Sequence, residues 1–155
     1  TLHTLFPYTT LFRSYNFRMP NLLAAFGVAQ LENADEYLKI KKKNASYYNE
    51  LLKDVKGITL PIQKDWAENC YWLYSILVEE EFPLTRDELI KKLQEEGIES
   101  RPFFIPVHNM PPYIDCVHGD MSMTDDISAK GINLPSSVSL TEENIEFICS
   151  VIKNI

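Results

Sequence analysis

The chain has 155 residues, 45% hydrophobic and 24% charged, with a formal net charge of −7 at pH 7. That size and balance fit one soluble globular domain, or one domain with an appendage, able to bury a real core. The acidic surplus disfavours nucleic acid and anionic membranes, both of which select lysine and arginine, so the expected partners are small molecules or another subunit.

Cys70, Cys116 and Cys149 are odd in number, far apart and form no C-x-x-C pair. This usage predicts reduced thiols and a cytoplasmic protein. No apolar run approaches the ~20 residues that span a bilayer, and no stretch has the layout of a secretion signal.

Residues 1–14 (TLHTLFPYTTLFRS) carry no acidic residue and no helical period. A short edge strand is one reading. The preferred one is a non-native, adaptor-derived tail on a reading frame truncated at its N-terminal side, to be set aside from the fold.

Residues 21 to about 55 are predicted helical, in two pieces or one bent piece. Leu22, Phe26 and Ala29, then Leu23, Ala34 and Leu38, follow amphipathic spacing, continued by Ile40, Tyr47, Tyr48, Leu51, Leu52 and Val55. Asn21 is a candidate cap, or Pro20 a first-turn residue, and Gly57 a candidate C′ stop. The cluster Lys39, Lys41, Lys42 and Lys43 reads as a solvated helix face.

Ile58, Thr59 and Leu60 predict a short strand stopped by Pro61. Residues 70–78 (CYWLYSILV) predict a central strand covered on both faces. Thr85 and Glu88 have capping-box spacing, ahead of a helix with Leu89, Ile90 and Leu93 that Gly97 ends. Residues 98–101 read as another short strand.

Residues 101–113 (RPFFIPVHNMPPY) hold four prolines, which exclude a helix interior or a central strand. The stretch is also strongly apolar. It reads either as a stiff crossover packed on the core or as a pocket wall in which Arg101, His108 and Tyr113 orient a ligand. A short helix around 125–130 closed by Gly131 follows, then a strand over 132–135 and a turn at Ser136 and Ser137. Thr141 caps a last helix that turns Ile145, Ile148, Val151 and Ile152 inward. The irregular order of strands and helices predicts an α+β layer, a small mainly antiparallel sheet packed with helices.

No self-contained catalytic set is present. His108, Asp115, Cys116, His118 and Asp120 lack the paired spacing of a zinc site, so no metal is expected. Ser136 and Ser137 have no G-x-S-x-G context, and the five glycines form no phosphate loop.

The segment Tyr15-Asn16-Phe17-Arg18-Met19, running into NLLAAFGVAQ at 21–30 and Leu31-Glu32, resembles the hallmark of the DegT–DnrJ–StrS family of pyridoxal 5′-phosphate (PLP)-dependent sugar aminotransferases. Residues 101–113, with GINLPSS at 131–137 and LTEE at 140–143, look most like its perosamine-synthase branch. The resemblance covers residues 15–155. It implies an enzyme that moves an amino group, with glutamate as usual donor, to a nucleotide-linked 4-keto-6-deoxyhexose. It also implies a homodimer of type I aminotransferase fold. Residues 15–56 would be the end of the large domain and a connecting helix, and 57–155 the C-terminal small domain.

By the same resemblance the Schiff-base lysine and the aspartate that pairs with the pyridine nitrogen lie upstream, leaving this chain without a catalytic residue. Asn16 would bind the phosphate of the partner's PLP, and Arg18 a sugar or phosphate oxygen. Arg101 and His108 would stand by the nucleotide-sugar entrance. On the residues alone, an Asx turn or helix cap is the alternative for Asn16, and a loop-fixing bond to backbone is an equal alternative for His108. A non-catalytic dimerisation or ligand-binding domain of the same fold is the alternative.

Overall fold

The computed structural model describes residues 19–155; the 1–14 tail and the Tyr15–Arg18 segment, with Asn16 and Arg18, lie outside them. By compactness the chain divides at Asp35/Glu36 into two units. The first contains helix α1 (Asn21–Glu32), which Pro20 precedes in extended conformation without a side-chain cap. Asn33 ends it, and its amide donates to Ala29 O at 2.8 Å. Helix α2 (Ala34–Leu52) starts at the next residue. The helical stretch is therefore two pieces, one of the two arrangements its pattern allows. The amphipathic reading fails for α1: it buries none of its residues, and Leu22 and Leu31 are 80% and 76% exposed. The reason is visible in the sequence, where Leu22, Leu23, Phe26, Val28 and Leu31 spread around the circumference instead of forming one stripe.

The second unit carries a four-stranded antiparallel sheet in the order β1 (Ile58–Thr59), β2 (Tyr74–Val78), β4 (Gly131–Leu134), β3 (Arg101–Pro102). Helices α2, α3 (Arg86–Glu95) and α5 (Glu142–Lys153) supply one side of the core, and helix α4 (Ser122–Lys130) leads directly into β4. This is an α+β layer. Tyr74, Ile76 and Val78 alternate along β2 and pack with Ile132 and Leu134 of β4, facing Tyr48, Leu52, Leu89, Leu93, Ile145 and Ile152 from the helices. Burying each of these leucine or isoleucine side chains is worth roughly 1.5–3 kcal/mol.

Local chemistry sets the ends. Thr85 and Thr141 each complete a capping box, with Glu88 and Asn144 as the reciprocal partners. Gly97, at φ +77°, closes α3: its N–H donates to Gln94 O at 3.0 Å and that of Ile98 to Leu93 O at 2.8 Å, the paired bonds of a Schellman end. Gly57 does not stop α2, which ends at Leu52. It is the third residue of a turn closed by Ile58 N–H to Val55 O at 3.3 Å, again at φ +77°.

Two strand expectations need correction. The run 70–78 yields only five residues of strand, because Asn69 Oδ1 accepts from Tyr71 N–H at 2.8 Å and Tyr71 turns left-handed at φ 49°. Nor is β2 covered on both faces, since Ser75 and Leu77 are half-buried. The strand expected over 98–101 is Arg101–Pro102, an edge position where a missing N–H costs no ladder bond. Among the described residues, no helix is long and apolar enough to cross a membrane.

Candidate functional site

The proline-rich segment leaves β3 and winds across the surface in successive turns. Phe103 N–H donates to Gly131 O at 3.0 Å, and Asn133 Nδ2 to Pro102 O at 3.3 Å. Asn133 Oδ1 accepts from Ser75 Oγ at 2.7 Å, so one amide ties the edge strand to β2 through β4. A 3-10 turn follows over Val107–Asn109. The segment is not a buried crossover: Phe104, Ile105, Val107 and Ile114 are all more than 60% exposed.

Arg101 lines an open cleft of about 420 Å³ with Trp72, Ser100, Phe104, Asn133 and Ser136. Its guanidinium meets Glu99 Oε1 at 2.6 Å, both side chains 78% exposed. An ion pair that wet is weak, so the guanidinium can exchange Glu99 for an oxyanion. His108 lines another recess, about 390 Å³, with Val107, Tyr113, Cys116, His118 and Met121. Its Nε2 lies 2.9 Å from Asp125 Oδ1, which also accepts from Asn109 Nδ2 at 2.8 Å. The His118 ring stands 5.3 Å away. The bond that fixes His108 thus goes to a carboxylate on α4, not to backbone. Arg101 and His108 are not brought into one cavity. A larger recess, about 650 Å³, carries neither; Glu50, Lys53, Val55, Phe82, Ile152 and Lys153 line it.

Lys41 departs from the solvated face assigned to it. It is half-buried and donates to Trp72 O at 2.8 Å and Ser136 O at 2.6 Å, and burial lowers its pKa. A signal was available: Lys41, Asn44 and Tyr48 share the core-facing register of α2. Lys42 and Lys43 do face outward, paired with Glu68 and Glu142. Among the described residues, no group of three His, Cys, Asp or Glu is placed to hold a metal ion.

The fold is similar to that of Helicobacter pylori PseC, an aminotransferase involved in the biosynthesis of pseudoaminic acid: 90% of this chain aligns with 38% of that protein at TM-score 0.79 and 23% identity. At that identity the likeness establishes the fold. The model of the DegT/DnrJ/EryC1/StrS aminotransferase family matches residues 4–153, and the chain belongs to this family. It is 39% identical over 144 residues to the GDP-perosamine synthase of Vibrio cholerae and 34% identical over 142 residues to that of Caulobacter vibrioides. Each match covers 91% of this chain and 38% of the relative, so the chain spans well under half the length of these relatives.

The family is PLP-dependent. The Arg101 and His108 recesses do not fit that cofactor, since no lysine lines either. A PLP site needs an amine in an enclosed cavity and a cradle of donors for the phosphate. Lys41, the lysine on the core-facing side of α2, is committed to two carbonyls, and Lys130 to Glu79 and Asp126.

Proposed function

We propose that this chain is the C-terminal part of a homodimeric PLP-dependent aminotransferase. In this reading the enzyme moves an amino group from glutamate to a nucleotide-linked 4-keto-6-deoxyhexose, in deoxyamino-sugar biosynthesis for polysaccharide. The observation that carries it is the identity to two relatives named GDP-perosamine synthase, sustained over nine-tenths of this chain. Residues 15–56 belong in this reading to the large domain and connecting helix, and 57–155 to the small domain.

When bound, PLP would supply the carrier chemistry for the amino group between donor and keto sugar. The chain's own share is binding. Asn16 would donate to the phosphate of the partner subunit's cofactor, and Arg18 would donate to a sugar or phosphate oxygen. Arg101 forks onto nucleotide-sugar oxygens at the cleft mouth, beside the apolar faces of Trp72 and Phe104. In this reading His108, which Asp125 orients, stands by the substrate entrance. In this reading no lysine of this chain forms the Schiff base.

Borohydride tests this reading. The complete protein incubated with PLP and reduced should retain the cofactor covalently, and the 155-residue chain treated alike should not. A reduced adduct on a lysine of this chain, or none on the complete protein, contradicts it.

A further inference from the structure

One helix holds three consecutive carbonyls of the segment that leaves β4. Tyr48 Oη donates to Pro135 O at 3.0 Å, Lys41 Nζ to Ser136 O at 2.6 Å and Asn44 Nδ2 to Ser137 O at 3.4 Å. These donors sit at i, i+3 and i+7 of α2, on one face of the helix. The carbonyls have left the sheet, which ends at Leu134, and backbone acceptors away from water need partners. Tyr48 is fully buried and stacked on Tyr74, ring centroids 4.4 Å apart, so the anchor beneath the segment is rigid.

Lys41 does more than the other two. Its ammonium also reaches Trp72 O at 2.8 Å, on the segment that enters β2, where Ser136 Oγ adds a bond at 3.5 Å. Trp72 and Ser136 both line the Arg101 cleft. A single cation therefore ties two wall segments that the sheet does not connect at that end, since β2–β4 pairing stops at Tyr74 and Leu134. The Trp72 segment is otherwise set by the left-handed turn at Tyr71, a conformation that costs a β-unbranched side chain free energy and holds only where its surroundings impose it.

We propose that Lys41 is a positioning residue. Its ammonium, bridging the carbonyls of Trp72 and Ser136, fixes the spacing of the cleft walls and thereby the fit of the nucleotide sugar. The ligand in this statement rests on the function proposed above; the bridge itself does not. Lys41→Met keeps the stem and removes the donors. Lys41→Arg keeps charge and donors in a planar fork.

Two readouts separate the claims. In the 155-residue chain with ¹³C-labelled carbonyls, Lys41→Met should move the Trp72 and Ser136 carbonyl resonances, with Lys41→Arg restoring part of the shift. In the complete enzyme, Lys41→Met should raise KM for the keto-sugar nucleotide about tenfold, the equivalent of one lost charge-assisted hydrogen bond, with kcat nearly unchanged and partial rescue by arginine. If Lys41→Met does not fold, Lys41→Gln gives the same readouts. Unmoved carbonyl resonances refute the bridge whatever the enzyme does. Moved resonances with unchanged KM, or with KM, kcat and the donor half-reaction disturbed together, refute the positioning role. An unsubstituted complete enzyme that transfers no amino group refutes the proposed function, and the ligand assigned to Lys41 with it.

Discussion

Gly57 and Gly97 share a backbone conformation, φ +77°, in different surroundings. A β-carbon at Gly57 would lie 2.2 Å from the backbone nitrogen of Phe82 and 2.7 Å from Glu81 C and Phe82 Cα, whereas one at Gly97 meets nothing within 4 Å. Left-handed backbone costs an L-residue roughly 1–2 kcal/mol at either site. At Gly57 the neighbour is main chain and cannot swing aside. The turn that carries Phe82 must move, which strains the bond from Glu79 N–H to Gly57 O (2.8 Å) and displaces the buried Phe82 ring. One hydrogen bond and a repacked side chain add about 2–3 kcal/mol. Gly57→Ala should therefore cost about 3–5 kcal/mol and Gly97→Ala about 1–2 kcal/mol. Urea denaturation followed by circular dichroism reads both, as midpoint shifts at constant slope. Equal losses, or a larger one for Gly97→Ala, would refute the argument from backbone crowding.

The other expectations span caps, titration and binding. Thr85→Ala and Thr141→Ala each remove a completed capping box and should cost about 1 kcal/mol of stability, measured the same way. Burial pushes the Cys149 thiol up to about 12 and raises the phenols of Tyr48 and Tyr74, so these groups stay protonated in the folded chain after unfolded ones ionise. Folded values above unfolded ones mean stability that is complete below about pH 9 and falls as pH rises towards 12. Tyr47, raised to about 12 by its hydrogen bond to Glu146, and Lys130, raised by its bonds to Asp126 and Glu79, act in the same direction, and Lys41, lowered by burial, opposes them. Urea midpoints across that range should decline, less steeply in Cys149→Ala, and a thiol reagent at mild pH should label exposed Cys70 and Cys116 but reach Cys149 only in denaturant. Arg101→Ala, at an exposed pair, should leave stability within about 0.5 kcal/mol and raise KM for the sugar nucleotide in the complete enzyme; an unchanged KM removes Arg101 from the site.

What the sequence disclosed was mostly local. The capping box at Thr85, the cap at Thr141 and the glycine end of α3 depend on residues three or four apart, and each stands where the sequence placed it; Asn144, which completes the second box, was not anticipated. Gly57 misled because its turn is fixed by packing against residues 79–82, far along the chain. The run 70–78 looked like a two-sided strand because apolar content says nothing of the Asn69 turn that diverts its first half. Asp125, partner of His108, is 17 residues away and could not be paired with it from spacing. Lys41 was hidden by its neighbours: a run of lysines reads as a wet face, although its register with Tyr48 and Leu52 already pointed inward.

The central claim is amino transfer to a nucleotide-linked keto sugar. Its most direct measurement uses the complete protein with PLP, ¹⁵N-glutamate and GDP- or dTDP-linked 4-keto-6-deoxyhexose, with mass spectrometry of the sugar nucleotide. The account predicts that one of the two nucleotides acquires the label, as a primary amine in place of the keto oxygen. Unlabelled, unaltered sugar with both nucleotides, from a folded protein saturated with PLP, would contradict it.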